Sequence, residues 1–123
     1  MKLHLSGPTG QNLFTSYGDG YVIVNGVRHD KSMIVLPDQL IQDWLASGFE
    51  QLSADQLSRL LPFGLEVVLL GTGARIRFPR PEILRPLIEA GVGVEVMDVP
   101  AACRTYNILV AEDRKVAAAL LLG

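Results

Sequence analysis

Glu66-Val67-Val68-Leu69-Leu70-Gly71 is an apolar run closed by a glycine, and Thr72-Gly73 follows it directly. A run with no polar alternation reads as a strand covered on both faces, the usual condition of strands in a parallel sheet. Parallel neighbours need crossover connections, and helical spacing appears at once on the C-terminal side. Pro81 can occupy the first turn of a helix that packs Ile83, Leu84, Leu87 and Ile88 and stops at Gly91. Pro86 falls inside it, where the missing N–H should kink or shorten the helix. Val92 to Met97 is the next strand, and Asp98 can cap a helix from about Val99 to Val110. Strand–helix–strand–helix order after residue 32 implies right-handed crossovers and a largely parallel sheet.

On the N-terminal side the pattern is β. Tyr21-Val22-Ile23-Val24 and Val27-Arg28-His29 flank Asn25-Gly26, a dipeptide suited to a type I′ hairpin turn. Gly18-Asp19-Gly20 marks another turn, after a short segment around Leu13 to Tyr17. Ser32 to Leu36 reads as a buried strand. Pro37-Asp38 then reads as a helix start, with Leu40, Ile41, Trp44 and Leu45 on one stripe and Gly48 as the stop. Ser53-x-x-Gln56 is a capping box for a second short helix carrying Leu57, Leu60 and Leu61, ended by Pro62. Arg75-Ile76-Arg77-Phe78 alternates as a half-exposed strand would, with Ile76 and Phe78 inward. After a break at Glu112-Asp113, Val116, Ala117, Leu120 and Leu121 suggest a last amphipathic helix. Its apolar surface would dock on the sheet or meet another chain.

The totals narrow the function. A chain of 123 residues, 49% hydrophobic and 20% charged, is the size and composition of one globular domain, here residues 1–123. Its formal net charge of −2 argues against general nucleic-acid binding. Cys103 is the only cysteine, so no intrachain disulfide is expected. No apolar run reaches the roughly 18 residues of a membrane helix. Met1 to Gly10 lacks a signal pattern, which makes the cytoplasm the expected location.

Four groups of residues could carry chemistry. Gly71-Thr72-Gly73 follows a buried strand, where α/β proteins bind ligands, yet Ile76 and the expected strand after it break the dinucleotide-loop pattern. It reads as a tight turn or the edge of a small-molecule site. Arg75, Arg77, Arg80 and Arg85 stand beside the start of a helix, an arrangement that suits a small anion or an acidic partner, or simply a solvated face. Cys103, Arg104 and Asn107 share the next helix. Cys103 and Asn107 lie on one face, suited either to a reactive thiol or to close packing. His4 and His29 make no metal pair by their spacing, and no metal or other cofactor is expected.

Taken in order, Gly26 and Ser32, Trp44 on the first helix, Gly71-Thr72-Gly73, Gly91-Val92-Gly93-Val94-Glu95-Val96-Met97-Asp98 and Ala102-Cys103-Arg104-Thr105-Tyr106-Asn107-Ile108-Leu109 resemble the small Mth-type α/β domain family. That family includes a mitochondrial respiratory complex I assembly factor and an adipogenesis-associated protein. The resemblance spans nearly the whole chain. It implies a three-layer β plus α/β/α fold around a mixed five-stranded sheet, to which the N-terminal β-hairpins would add an antiparallel β layer or edge. It supplies no catalytic residue to carry over. The function expected is therefore a non-catalytic binding or assembly protein with a protein partner, monomeric or weakly dimeric. The alternative is a small-molecule or anion binder, possibly an enzyme, using Gly71, Thr72, Gly73, Arg75, Arg77, Arg104 and Asn107.

Overall fold

The computed structural model describes residues 10–45 and 48–122. His4 and most of the N-terminal stretch read above lie outside the described residues. Strands β1 (Phe14–Gly18), β2 (Tyr21–Val24) and β3 (Val27–His29) form an antiparallel three-stranded sheet in that order. The β2–β3 turn is the expected one, with Asn25 at φ 49° and Gly26 at φ 84°. Strands β4 (Met33–Leu36), β5 (Gln39–Gln42), β6 (Val67–Gly71), β7 (Gly93–Met97) and β8 (Val116–Leu120) form a mixed five-stranded sheet of order β5-β4-β8-β6-β7. Strand β6 runs parallel to β7 and β8, while β4 is antiparallel to β5 and β8.

Among the described residues three α-helices, α1 (Ala54–Ser58), α2 (Pro81–Glu89) and α3 (Val99–Ala111), and two short 3-10 turns complete the fold. The capping box predicted at Ser53 and Gln56 starts α1, and the Asp98 carboxylate accepts from the Ala101 N–H to start α3. Helix α2 runs through Pro86 to Glu89, and Gly91 follows at φ 81°. The proline falls short of ending the helix.

Side chains alternate across the five-stranded sheet and build two cores. Val35, Val67, Leu69, Val116, Ala118 and Leu120 face one side, where β1–β3 and α3 cover them through Phe14, Val22, Val24, Cys103, Tyr106 and Val110. Ile34, Leu36, Val68, Leu70, Ala117 and Ala119 face the other, packed with Trp44, Leu57 and Leu60 and with Leu87 of α2. This is the three-layer β plus α/β/α arrangement that the resemblance implied. Among the described residues, no helix is long and apolar enough to cross a membrane.

The five-stranded sheet is evenly mixed rather than largely parallel, with two parallel and two antiparallel pairs, and three elements also differ from the sequence reading. No helix starts at Asp38. Pro37-Asp38 is the turn of a hairpin in which Leu36 pairs with Gln39 and Met33 with Gln42. Leu40 packs into the β1–β3 core and Ile41 into the opposite one, a period of two that a helical stripe would not give. Trp44 therefore follows a strand; its buried indole N–H donates to the Leu120 carbonyl at 3.4 Å.

Nor is Arg75–Phe78 a strand with Ile76 and Phe78 inward: Ile76 is 47% exposed and Phe78 75%. The Thr72 hydroxyl donates to the Arg75 carbonyl at 2.9 Å and accepts from the Arg77 N–H at 2.8 Å. Those are backbone groups that a sheet ladder would need. The third difference is the C-terminal segment, which is neither a helix nor a free docking face. It is β8, fully buried between β4 and β6. An apolar run without alternation fits a strand covered on both sides as well as a buried helix, and the open slot between β4 and β6 decides between them.

Candidate functional site

The parallel strands β6 and β8 end together, and the Gly71-Thr72-Gly73 turn organises that end. Gly71 is there for close approach. A Cβ on it would lie 2.9 Å from Leu120 Cδ2, 3.2 Å from Ala102 Cβ and 3.3 Å from Val99 Cα. The first turn of α3 thus rests directly on the sheet. The Gly71 carbonyl accepts from the Leu121 N–H at 2.9 Å, fixing the exit of β8. Gly73 adopts φ 106°, a backbone region open to glycine, and its carbonyl accepts from the Val99 N–H at 2.8 Å. Thr72 is 2% exposed. Its hydroxyl also lies 3.4 Å from the Met97 carbonyl, to which its N–H donates at 2.9 Å.

That network uses up the start of α3. The Val99 N–H is taken by Gly73, Pro100 has none, and the Ala101 N–H goes to Asp98 at 2.8 Å. The Ala102 N–H closes onto the Asp98 carbonyl. Helix N-termini attract anions through unpaired N–H groups, and these donors are all paired.

The arginines do not converge on the turn. Arg77 lies over the Phe49 ring, 4.4 Å from its centroid, and its guanidinium meets Glu50 at 3.3 Å. Arg75, Arg80 and Arg85 are exposed. Arg104 donates to the Tyr17 hydroxyl at 2.8 Å, tying α3 to the end of β1. Asn107 faces inward instead: its Oδ1 accepts from the Phe14 N–H at 3.0 Å and its Nδ2 donates to the Phe14 carbonyl at 2.7 Å. Cys103 is fully buried beside it, and burial pushes its thiol up to about 12. His29 lies on β3, in the other sheet from β6.

What the surface does present is the loop from β6 to α2. Thr72 holds its backbone at Arg75 and Arg77, and Pro79 is buried while Phe78 beside it points outward. Arg75, Ile76, Phe78 and Arg80 are thus exposed together on a loop whose backbone Thr72 fixes at two points. The sequence carried a signal for this: Pro79 and Pro81 each lack an N–H, which disqualifies the segment as an interior strand. The pairing of Tyr17 with Arg104 had no local signal, because the two are 87 positions apart.

A β layer over an α/β/α sandwich, with a pinned loop at the carboxyl end of the parallel strands, defines this chain as an Mth938-like α/β protein. It belongs to the family described as "Protein of unknown function (DUF498/DUF598)", whose model matches residues 14–121. Among solved structures, a Bordetella parapertussis protein is 43% identical, with a TM-score of 0.86 over 94% of this chain and 98% of that one. A Bordetella pertussis protein described as a Mth938-like domain is 37% identical, with a TM-score of 0.81 over 99% of this chain and 92% of that one. Among curated proteins, the NADH dehydrogenase [ubiquinone] 1 alpha subcomplex assembly factor 3 of Danio rerio is 39% identical over 108 residues, which is 86% of this chain. This chain spans 62% of the length of that protein and 58% of its Bos taurus counterpart.

Proposed function

We propose that this protein is a non-catalytic docking module that helps assemble a respiratory NADH dehydrogenase, and that the loop Arg75 to Arg80 is its partner-binding surface. The observation that carries the reading is Phe78, 75% exposed on a loop whose backbone is pinned by Thr72. A large apolar side chain held outward on a rigid support loses little conformational freedom on binding, and aromatic and arginine side chains dominate binding energy at interfaces. The flanking Arg75 and Arg80 favour a partner surface that is acidic around an apolar recess. The names of the curated relatives support assembly as the process. The working location is the cytoplasm, on the cytoplasmic side of the membrane that holds the complex, and the working form is a monomer or weak dimer of the single domain 1–123.

The test is deletion of the gene from its host, followed by native electrophoresis with an in-gel NADH dehydrogenase stain. The expected result is less fully assembled complex, with subcomplexes accumulating. An unchanged amount of assembled complex after deletion would refute the assembly role.

A further inference from the structure

A cavity of about 320 Å3 lies at the carboxyl end of β6 and β8, between the Gly18–Gly20 turn and the first turn of α3. Its size falls within the roughly 300–1,000 Å3 of small-molecule pockets, and strand carboxyl ends are where open α/β sheets bind ligands. Tyr17, Ala74, Val99, Pro100, Leu121 and Leu122 supply a mainly apolar wall. The wall is pre-organised. Gly73 binds the Val99 N–H, Gly71 binds the Leu121 N–H, and Leu122 is tied back by its N–H to the Ser32 hydroxyl at 3.0 Å.

The chemistry of the wall selects the ligand. The start of α3 borders the cavity but has no unpaired N–H to offer. Among the described residues of the lining, Asp19 alone is charged, and it is an anion. A phosphate or carboxylate would gain none of the N–H groups at the start of α3 and would meet the like charge of Asp19, whereas an apolar body would bury surface against the mainly apolar wall. We infer that this cavity is a binding site for a small, uncharged, largely apolar molecule of about the size of one or two aromatic rings. It is distinct from the Arg75–Arg80 surface and does not depend on the docking reading.

The probe is indole, with inorganic phosphate as the anionic comparison, titrated into the methyl-labelled protein and followed by NMR. Indole should shift the Val99, Leu121 and Leu122 methyl signals saturably and give intermolecular NOEs to them, and phosphate should do neither. Ala74→Trp, which places a ring at the cavity from an exposed position, should weaken indole binding at least about tenfold, as expected when one apolar group loses its burial site. The NOEs need no variant, so the inference can be judged even if Ala74→Trp folds poorly. Absence of saturable shifts and NOEs with indole would overturn it, as would phosphate binding at these methyls in preference to indole.

Discussion

Asn107 closes both backbone groups of Phe14 with one side chain, across 93 positions of sequence: Oδ1 takes the N–H at 3.0 Å and Nδ2 gives to the carbonyl at 2.7 Å. An amide held this way acts as a one-residue strand partner, fastening β1 to α3. The Phe14 ring packs edge-on against Tyr106, with centroids 5.1 Å apart. The Tyr106 hydroxyl donates to the Asn12 carbonyl at 3.0 Å. The face of α3 that looked reactive in sequence is the seam between the two sheets.

Replacing Asn107 with Ala should therefore cost about 2–6 kcal/mol, because two buried backbone groups lose partners at about 1–3 kcal/mol each. Urea unfolding followed by circular dichroism measures it. A loss below about 1 kcal/mol would mean that water replaces the amide and that the seam does not depend on it.

Gly71→Ala tests the close approach of α3. The added methyl meets Leu120 and Ala102 side chains and the Val99 backbone at 2.9–3.3 Å. The Leu120 methyl can move, but the Val99 backbone is held by Gly73. Overpacking of this kind costs about 1–3 kcal/mol. Thermal unfolding should show a lower midpoint, and an unchanged midpoint would show that the helix can lift off the sheet freely.

Cys103 should behave as a packed hydrophobe. Burial pushes its thiol up to about 12, so the native protein should stay unmodified by a disulfide reagent at pH 8 and react fully in denaturant. The same shift has a consequence for stability. The folded state holds the proton more tightly than the unfolded chain, so the contribution is complete below the ordinary thiol range and is lost as pH rises toward 12. Cys103→Ala should flatten that alkaline decline. Rapid labelling of the native thiol at pH 8 would contradict the sealed environment.

Glu66 titrates in the opposite sense. Its carboxylate accepts from the Lys115 N–H at 2.9 Å and from Arg114 Nε at 2.9 Å, and these bonds hold its pKa below the ordinary 4.5. A lowered folded-state pKa gives stability that is present above the ordinary value and is lost as pH falls through the folded one. Glu66→Gln should thus be less stable than the native protein at pH 7, and the difference should shrink at pH 3 and below. A difference that stays constant with pH would contradict the assignment.

The sequence disclosed the fold wherever local chemistry and tertiary placement agree. The Asn25-Gly26 turn, the Ser53–Gln56 box and the Asp98 cap each satisfy their own backbone within a few residues, so they are legible without the rest of the chain. The failures lie where distant partners decide. Ala117-Ala118-Ala119 has a strong helix propensity, yet it fills the slot between β4 and β6. There, small side chains allow the layers to approach. Leu40 to Leu45 fits a helical stripe until β4 is seen to offer a free edge. The candidate site was half visible. Gly71, Thr72 and Gly73 were legible as a turn at the strand end, but the outward turn of Phe78 was not, because it goes with Thr72 taking the backbone groups of Arg75 and Arg77.

The proposed docking role of the Arg75–Arg80 loop is tested by complementing the deletion strain with Phe78→Ser combined with Arg75→Glu. Both side chains are exposed, so the stability of the purified protein should change by no more than about 0.5 kcal/mol for each. The account predicts that this folded variant, expressed at the native level, leaves assembled NADH dehydrogenase at the level of the deletion strain. Restoration of the complex to the level reached with the native chain would contradict it.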